Sequence, residues 1–105
     1  MIEEYNGWSN RETWATMLHL DNDQALYEIA RDYAKREMEE NSDQARYELA
    51  QTLQNWIEED LLTRENIAGN QGLWIMLTDI GSLYRVNWRE IADYLITSIS
   101  EEVSA

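Results

Sequence analysis

The sequence contains no cysteine and no proline, and both absences exclude classes of structure. Without cysteine, the chain has no disulfide, no thiolate nucleophile and no zinc–thiolate site. Without proline, and with four glycines in 105 residues, long uninterrupted helices are favoured over tight hairpins. No apolar run approaches the roughly 18 residues of a membrane span, and the N-terminus lacks the basic and apolar stretches of a signal peptide. We therefore expect a cytoplasmic protein.

Basic residues are also scarce. Eight lysines and arginines stand against 21 aspartates and glutamates, which gives a net charge of −13 at pH 7. The imbalance is concentrated in residues 1–65, which hold sixteen acids and six bases. A field of this sign repels nucleic acid and anionic membranes and attracts basic surfaces. We expect no direct binding of nucleic acid or membrane, and a partner that presents a basic protein surface.

Phenylalanine is absent too, so the aromatic residues are five tryptophans and six tyrosines. Apolar residues recur at helical spacing in five segments, which predicts an all-α fold, a compact five-helix bundle forming one domain over residues 1–105. The predicted helices cover residues 10–20, 23–40, 43–63, 71–84 and 88–102. The fourth is apolar on nearly all sides, so we expect it to be central and buried. Its Trp74, like Trp14 and Trp56, is predicted to be a core residue.

The segments between helices are marked by turn and capping residues. Residues 64–72 are rich in asparagine and glycine and are predicted to be a linker. The most unusual run begins the chain, Y-N-G-W-S-N-R-E-T-W over residues 5–14, with two tryptophans six apart and an Asn-Gly turn signal. Within it, Ser9 and Glu12 have the spacing of a capping box, in which hydroxyl and carboxylate satisfy free amides reciprocally.

A second distinctive stretch lies near the other end, V-N-W-R-E-I-A over residues 86–92, where Asn87 and Glu90 form a capping-box variant. The two stretches together resemble a family of small, acidic, uncharacterised proteins of bacteriophages, bacteria and archaea. The resemblance implies a single-domain protein, often phage-carried, with no assigned activity, and it transfers no catalytic residue. A phage-encoded protein of this kind would act in the cytoplasm of the host cell.

Acidic residues on the second and third predicted helices are the candidate partner-binding residues. They are Glu28, Asp32, Glu39, Glu40, Asp43, Glu48, Glu58, Glu59 and Asp60. Duplex DNA carries one charge per about 1.7 Å of its axis and an α-helix rises about 1.5 Å per residue, so carboxylates on two or three helices approach that density. The alternative is a solvated acidic surface that maintains solubility. Asp32 and Arg36 are also placed for an ion pair along one helix.

Catalytic and metal-binding residues are poorly represented. His19, Asp21 and Asp23 are the candidate metal cluster, but their spacing matches no established metal loop, and capping or surface roles are favoured. The single histidine has no nucleophile in a recognisable motif, and there is no glycine-rich phosphate loop. We therefore expect no metal, no cofactor and no enzymatic activity.

Two functional hypotheses follow. The first is a non-enzymatic, protein-binding inhibitor of a host nucleic-acid-handling system, such as restriction or CRISPR defence, acting by DNA mimicry. The second is a structural or accessory homo-oligomer that associates through exposed aromatic residues such as Trp8, Tyr27 and Tyr47. Salt discriminates between them, because charge-based binding weakens as salt rises and an aromatic interface is nearly indifferent.

Overall fold

The computed structural model describes residues 5–40 and 43–104, and within those ranges the protein is helical with no β-strand. The six α-helices are α1 (Arg11–Asn22), α2 (Gln24–Glu40), α3 (Ala45–Asn55), α4 (Arg64–Ala68), α5 (Gln71–Ile80) and α6 (Trp88–Ser104). A π-helix, Trp56–Leu61, continues α3, and a 3₁₀ turn, Leu83–Arg85, precedes α6. The all-α prediction is confirmed. Across the described ranges, no helix has the length and apolarity needed to cross a bilayer.

The core lies between α2, α3 and α6, and α3 makes its most extensive contact with α6. Leu49 and Leu53 of α3 and Leu95 of α6 are fully buried there. The buried positions of α2 are the small residues Ala30 and Ala34. Since the separation of packed helices depends on the side chains between them, these alanines let α2 approach the α3–α6 pair closely.

Helix α5 lies at the edge of this core, against α1 and α4. Met76 and Ile80 are buried, whereas Trp74 is 53% exposed and Ile75 is 49% exposed. The predictions of a central fourth helix and of Trp74 as a core residue are therefore wrong. The physical reason is that three longer helices already close a core among themselves, and the ten residues of α5 cover one side of it.

The predicted linker contains a short helix of its own, α4. Its N-cap is Thr63, whose hydroxyl accepts a hydrogen bond from the Asn66 amide at 3.1 Å. The Asn66 side chain in turn donates to the carbonyl oxygens of Asp60 at 2.8 Å and Leu61 at 3.1 Å. Asn70 then caps α5, because its Oδ1 accepts from the Leu73 amide at 3.1 Å. These asparagines act as helix caps, which is why the segment is ordered rather than a plain linker.

The tight turn expected at Asn6-Gly7 is present. Asn6 has a φ of 51° and Gly7 a φ of 91°. Positive φ at both central positions is the type I′ geometry that Asn-Gly favours. The Tyr5 and Trp8 backbones close the turn with hydrogen bonds of 2.7 and 2.9 Å.

The first capping box is not formed as predicted. The N-cap of α1 is Asn10, whose Oδ1 accepts from the Thr13 amide at 2.9 Å and from the Thr13 hydroxyl at 2.6 Å. Ser9 donates instead to the carboxylate of Glu90, through its amide at 3.1 Å and its hydroxyl at 2.8 Å. Glu12 faces Arg85 at 3.8 Å. The partner of Ser9 is thus a residue of α6, 81 positions away in the sequence.

The second capping motif completes the same arrangement. Asn87 caps α6, as expected, by accepting from the Glu90 amide at 3.1 Å. Its own amide donates to the hydroxyl of Thr13 at 2.8 Å. Each helix start therefore supplies an acceptor for an amide at the other, so the capping interactions are exchanged between α1 and α6. The two distinctive stretches of sequence form one structural unit.

Candidate functional site

The nine predicted binding residues all reach the surface. Glu28, Asp32, Glu39 and Glu40 lie on α2, Asp43 precedes α3, Glu48 lies on α3, and Glu58, Glu59 and Asp60 lie on the π-helix. Glu48 and Glu58 are half-buried, and the other seven are exposed. We call these nine residues the acidic surface.

The acidic surface is not neutralised by the protein's own bases. In the part of the chain that the structure describes, none of its nine residues forms an ion pair. Five of the eight bases pair elsewhere: Arg11 with Asp79, Arg31 with Glu102, Arg46 and Arg89 with Asp93, and Arg85 with Glu12. The predicted Asp32–Arg36 pair is not formed, because the Arg36 guanidinium lies over the Tyr33 ring, 5.8 Å from its centroid. The paired bases are thus engaged by other acids, and the nine acids of the acidic surface have no ion-pair partner in the described part of the chain.

Helical spacing aligns three of these acids along α2. Glu28, Asp32 and Glu39 are separated by four and seven residues, which places them within about 40° of one another around the axis. Lys35 lies in the same stripe, and its positive charge helps to lower the pKa of Glu102 on α6. The stripe therefore carries three negative charges and one positive charge.

Glu102, an acid outside the acidic surface, forms an ion pair with Arg31. The hydrogen bond from Arg31 is the main cause that lowers the pKa of the Glu102 carboxyl. A lowered pKa means that the pair contributes stability above the unfolded pKa of the carboxyl and loses it as the pH falls through the folded value. Partial desolvation has the opposite effect on Asp21, which lies at the surface, and raises the pKa of its carboxyl.

The π-helix presents three acids in succession at the end of α3. Trp56 and Ile57 anchor it in the core, while Glu59 and Asp60 are exposed. Its wider hydrogen bonding is seen where the Leu62 amide donates to the Ile57 carbonyl at 3.0 Å. π-helical turns are rare and occur frequently at functional sites. Carboxylates at a helix C-terminus oppose its dipole, so this placement is unfavourable for local stability.

Two residues of the candidate metal cluster, His19 and Asp23, form hydrogen bonds with different parts of the fold. The Nε2 atom of His19 lies 2.9 Å from a carboxylate oxygen of Asp79 on α5. Asp23 caps α2, with its Oδ1 accepting from the Leu26 amide at 3.1 Å, so the capping interpretation of Asp23 is confirmed. Among the described residues, no group of three or more histidines and acids has the geometry to hold a metal ion.

The aromatic residues proposed for self-association differ in exposure. Tyr47 is 61% exposed, as predicted. Tyr27 is half-buried near Arg31, and Trp8 is half-buried against Tyr94, with ring centroids 5.4 Å apart. Of the three, only Tyr47 therefore presents most of its ring to solvent.

An exposed apolar face on α5 was missed by the sequence reasoning. Trp74 and Ile75 are each about half exposed, and Trp74 lines a groove of about 840 Å³ between α4 and α5. The signal that identifies this face in the sequence is the absence of any charged residue from 66–78. Depletion of charge together with an exposed aromatic side chain is typical of interface cores.

Comparison with known protein families gives a match. A model for a family of unknown function matches residues 1–103, which is almost the entire chain. No curated protein and no solved structure matches. The comparisons therefore supply a family relationship but no activity, ligand or partner.

Proposed function

The chain belongs to DUF7249, a family of unknown function, and we propose that it is a non-enzymatic module that binds the basic surface of a nucleic-acid-handling protein. The observation that carries the proposal is the unneutralised acidic surface. Its nine carboxylates have no ion-pair partner among the described residues, whereas five of the eight bases are paired with other acids. A basic partner would supply the missing counter-charges.

Competition with nucleic acid follows from the chemistry of such a surface. A protein groove that binds phosphates presents lysine and arginine side chains, and carboxylates on rigid helices offer the same donors a similar acceptor. A net charge of −13 also steers the protein toward such a groove and accelerates the encounter. Each acid of the acidic surface would contact a lysine or arginine that otherwise holds a phosphate.

The biological setting that we propose is inhibition of a host system that acts on nucleic acid, such as restriction or CRISPR defence. This part of the proposal is supported by the resemblance of the two capping stretches to those of phage-carried proteins. The acidic surface supports the mode of binding, whichever system is the target.

The proposal is tested by capture followed by competition. The tagged protein is incubated with host-cell lysate at low salt, bound proteins are eluted with high salt, and the tag alone serves as the control. The captured protein is then purified and bound to a fluorescent DNA or RNA duplex. We expect addition of this protein to displace the duplex completely, as measured by fluorescence anisotropy. A captured protein that keeps its duplex while binding this protein would contradict the proposal.

A further inference from the structure

Helix α5 carries more apolar surface than its neighbours cover. Met76 and Ile80 are buried, but Trp74 and Ile75 are each about half exposed. Adjacent residues on a helix point about 100° apart, so these two side chains expose a broad band rather than a single spot. We call this band, with the groove next to it, the α5 face.

Apart from Arg64 in the groove lining, the α5 face carries no charged residue, although the protein is otherwise densely charged. Residues 66–78 contain no acid and no base, although 28% of the chain is charged. Asp79, which follows directly, is engaged by Arg11 at 3.1 Å and by His19 at 2.9 Å. A surface of this composition resembles the desolvated centre of a protein interface rather than a solvated face.

The α5 face combines a half-exposed aromatic ring with a recess. Trp74 forms part of the wall of a groove of about 840 Å³, whose apolar lining also includes Leu62, Ile67 and Leu77. A two-fold interface brings the same patch together from both subunits, so a patch that holds both a ring and a recess can pair with itself. Among the described residues that line the groove, Arg64 is the charged one.

The distribution of charge favours a second copy of the chain over a basic protein as the partner of the α5 face. A basic partner is attracted to the acidic surface on α2, α3 and the π-helix, and it finds no counter-charge on residues 66–78. A second copy carries −13 and is repelled wherever acids face each other, as they would at the acidic surface. Residues 66–78 carry no charge and let two copies approach without bringing acids against each other. We propose that a second copy of the chain binds here, with Trp74 of each subunit entering the groove of the other.

The dimer is expected to be weak and to tighten with salt. A ten-residue helix is about 15 Å long, so the face is small beside the roughly 800 Å² per partner of a standard interface. We expect a dissociation constant on the order of 10–100 µM. Salt screens the repulsion between the two acidic subunits, so affinity should increase at least about threefold between 0.05 and 0.5 M NaCl. Binding of a basic partner has the opposite salt dependence, so this inference stands or fails separately from the proposed function.

Sedimentation equilibrium of the full chain from about 1 to 500 µM tests the proposal. We expect a monomer–dimer equilibrium for the native protein and at least about 30-fold weaker association for Trp74→Glu. Tyr47→Glu is the matched control, because it adds the same charge at another exposed aromatic, and its association should stay within about threefold of native. Circular dichroism checks the fold, and Ile75→Glu provides an independent change on the same face.

Three results would overturn the inference. They are a native protein that stays monomeric at 500 µM in 0.5 M NaCl, Trp74 and Tyr47 variants that dimerise equally, and a dimer that weakens as salt rises. If the native protein is monomeric and Trp74→Glu instead loses binding to the captured basic protein, the α5 face belongs to that partner and not to a second copy.

Discussion

Reversing three charges on the π-helix, by Glu58→Lys, Glu59→Lys and Asp60→Lys together, is expected to lower the affinity for the basic partner at least about 100-fold. The three acids are consecutive, and none has an ion pair among the described residues, so their charge is available to a partner. Each reversal replaces an attraction to lysine or arginine with a repulsion. Coupling energies of close interfacial charge pairs start at about 1.5 kcal/mol, so two affected pairs already account for a 100-fold loss.

The control for this variant is a second triple reversal with the same net charge. Asp21, Glu65 and Glu101 are exposed acids outside the acidic surface, on α1, α4 and α6. Each acid-to-lysine change adds two charges, so both triple variants carry −7 instead of −13. Isothermal titration against the captured partner should show a loss of less than about tenfold for the control. Equal losses would show that total charge, and not the position of these acids, determines binding.

Removing the carboxylate that joins the two helix starts, by Glu90→Ala, is expected to destabilise the fold by about 2 kcal/mol. The carboxylate accepts from the Ser9 amide and hydroxyl, and hydrogen bonds to charged groups contribute about 1.5–3 kcal/mol. The change also leaves the Ser9 amide without its acceptor at the start of α1. For a domain of this size the melting temperature should fall by about 10 °C.

Two further variants separate the hydrogen bonds from other effects on α6. Glu101→Ala removes an exposed carboxylate near the other end of the same helix and should change the unfolding free energy by less than about 0.5 kcal/mol. Glu90→Gln keeps one acceptor oxygen and should lie between the native protein and Glu90→Ala in urea unfolding. A Glu90→Ala variant as stable as the native protein would show that the exchanged capping contributes nothing to folding.

Helical periodicity predicted much of this fold because it is a local property of the sequence. The stripes that contain Leu49, Leu53 and Leu95 mark the faces that become the core. The short α4 was missed because its five residues are too few to show a period and its asparagines resemble turn residues. The π-helix was missed for a related reason, since its Trp56 and Ile57 fit an ordinary α-helical stripe.

The pairing of helices was harder to predict, because spacing within one segment does not specify a distant partner. Ser9 with Glu12 has the correct spacing for a capping box, but Glu90 of α6 competes successfully for the Ser9 amide. Similarly, α5 is apolar on nearly all sides, which indicates that several of its sides would be buried. The pattern does not indicate whether residues of this chain bury them, and Trp74 remains half exposed.

The sequence identified the acids of the candidate site, but it did not show which acids of the chain form ion pairs. The nine acids were identified from their positions on two helices, and the structure places all of them at least partly at the surface. Which acids would be neutralised depended on contacts between distant segments, such as Arg46 with Asp93 across α3 and α6. Those ion pairs distinguish the paired acids from the nine acids of the acidic surface, which have none among the described residues.

The central claim is that the acidic surface binds its partner by charge. Its most direct test is the dissociation constant of the complex with the captured protein, measured from 0.1 to 1 M NaCl. The Debye length falls over this range from about 10 to about 3 Å, which screens charges that face each other across a solvated interface. We predict that the complex weakens more than tenfold. A dissociation constant that is unchanged, or that falls as salt rises, would contradict the claim.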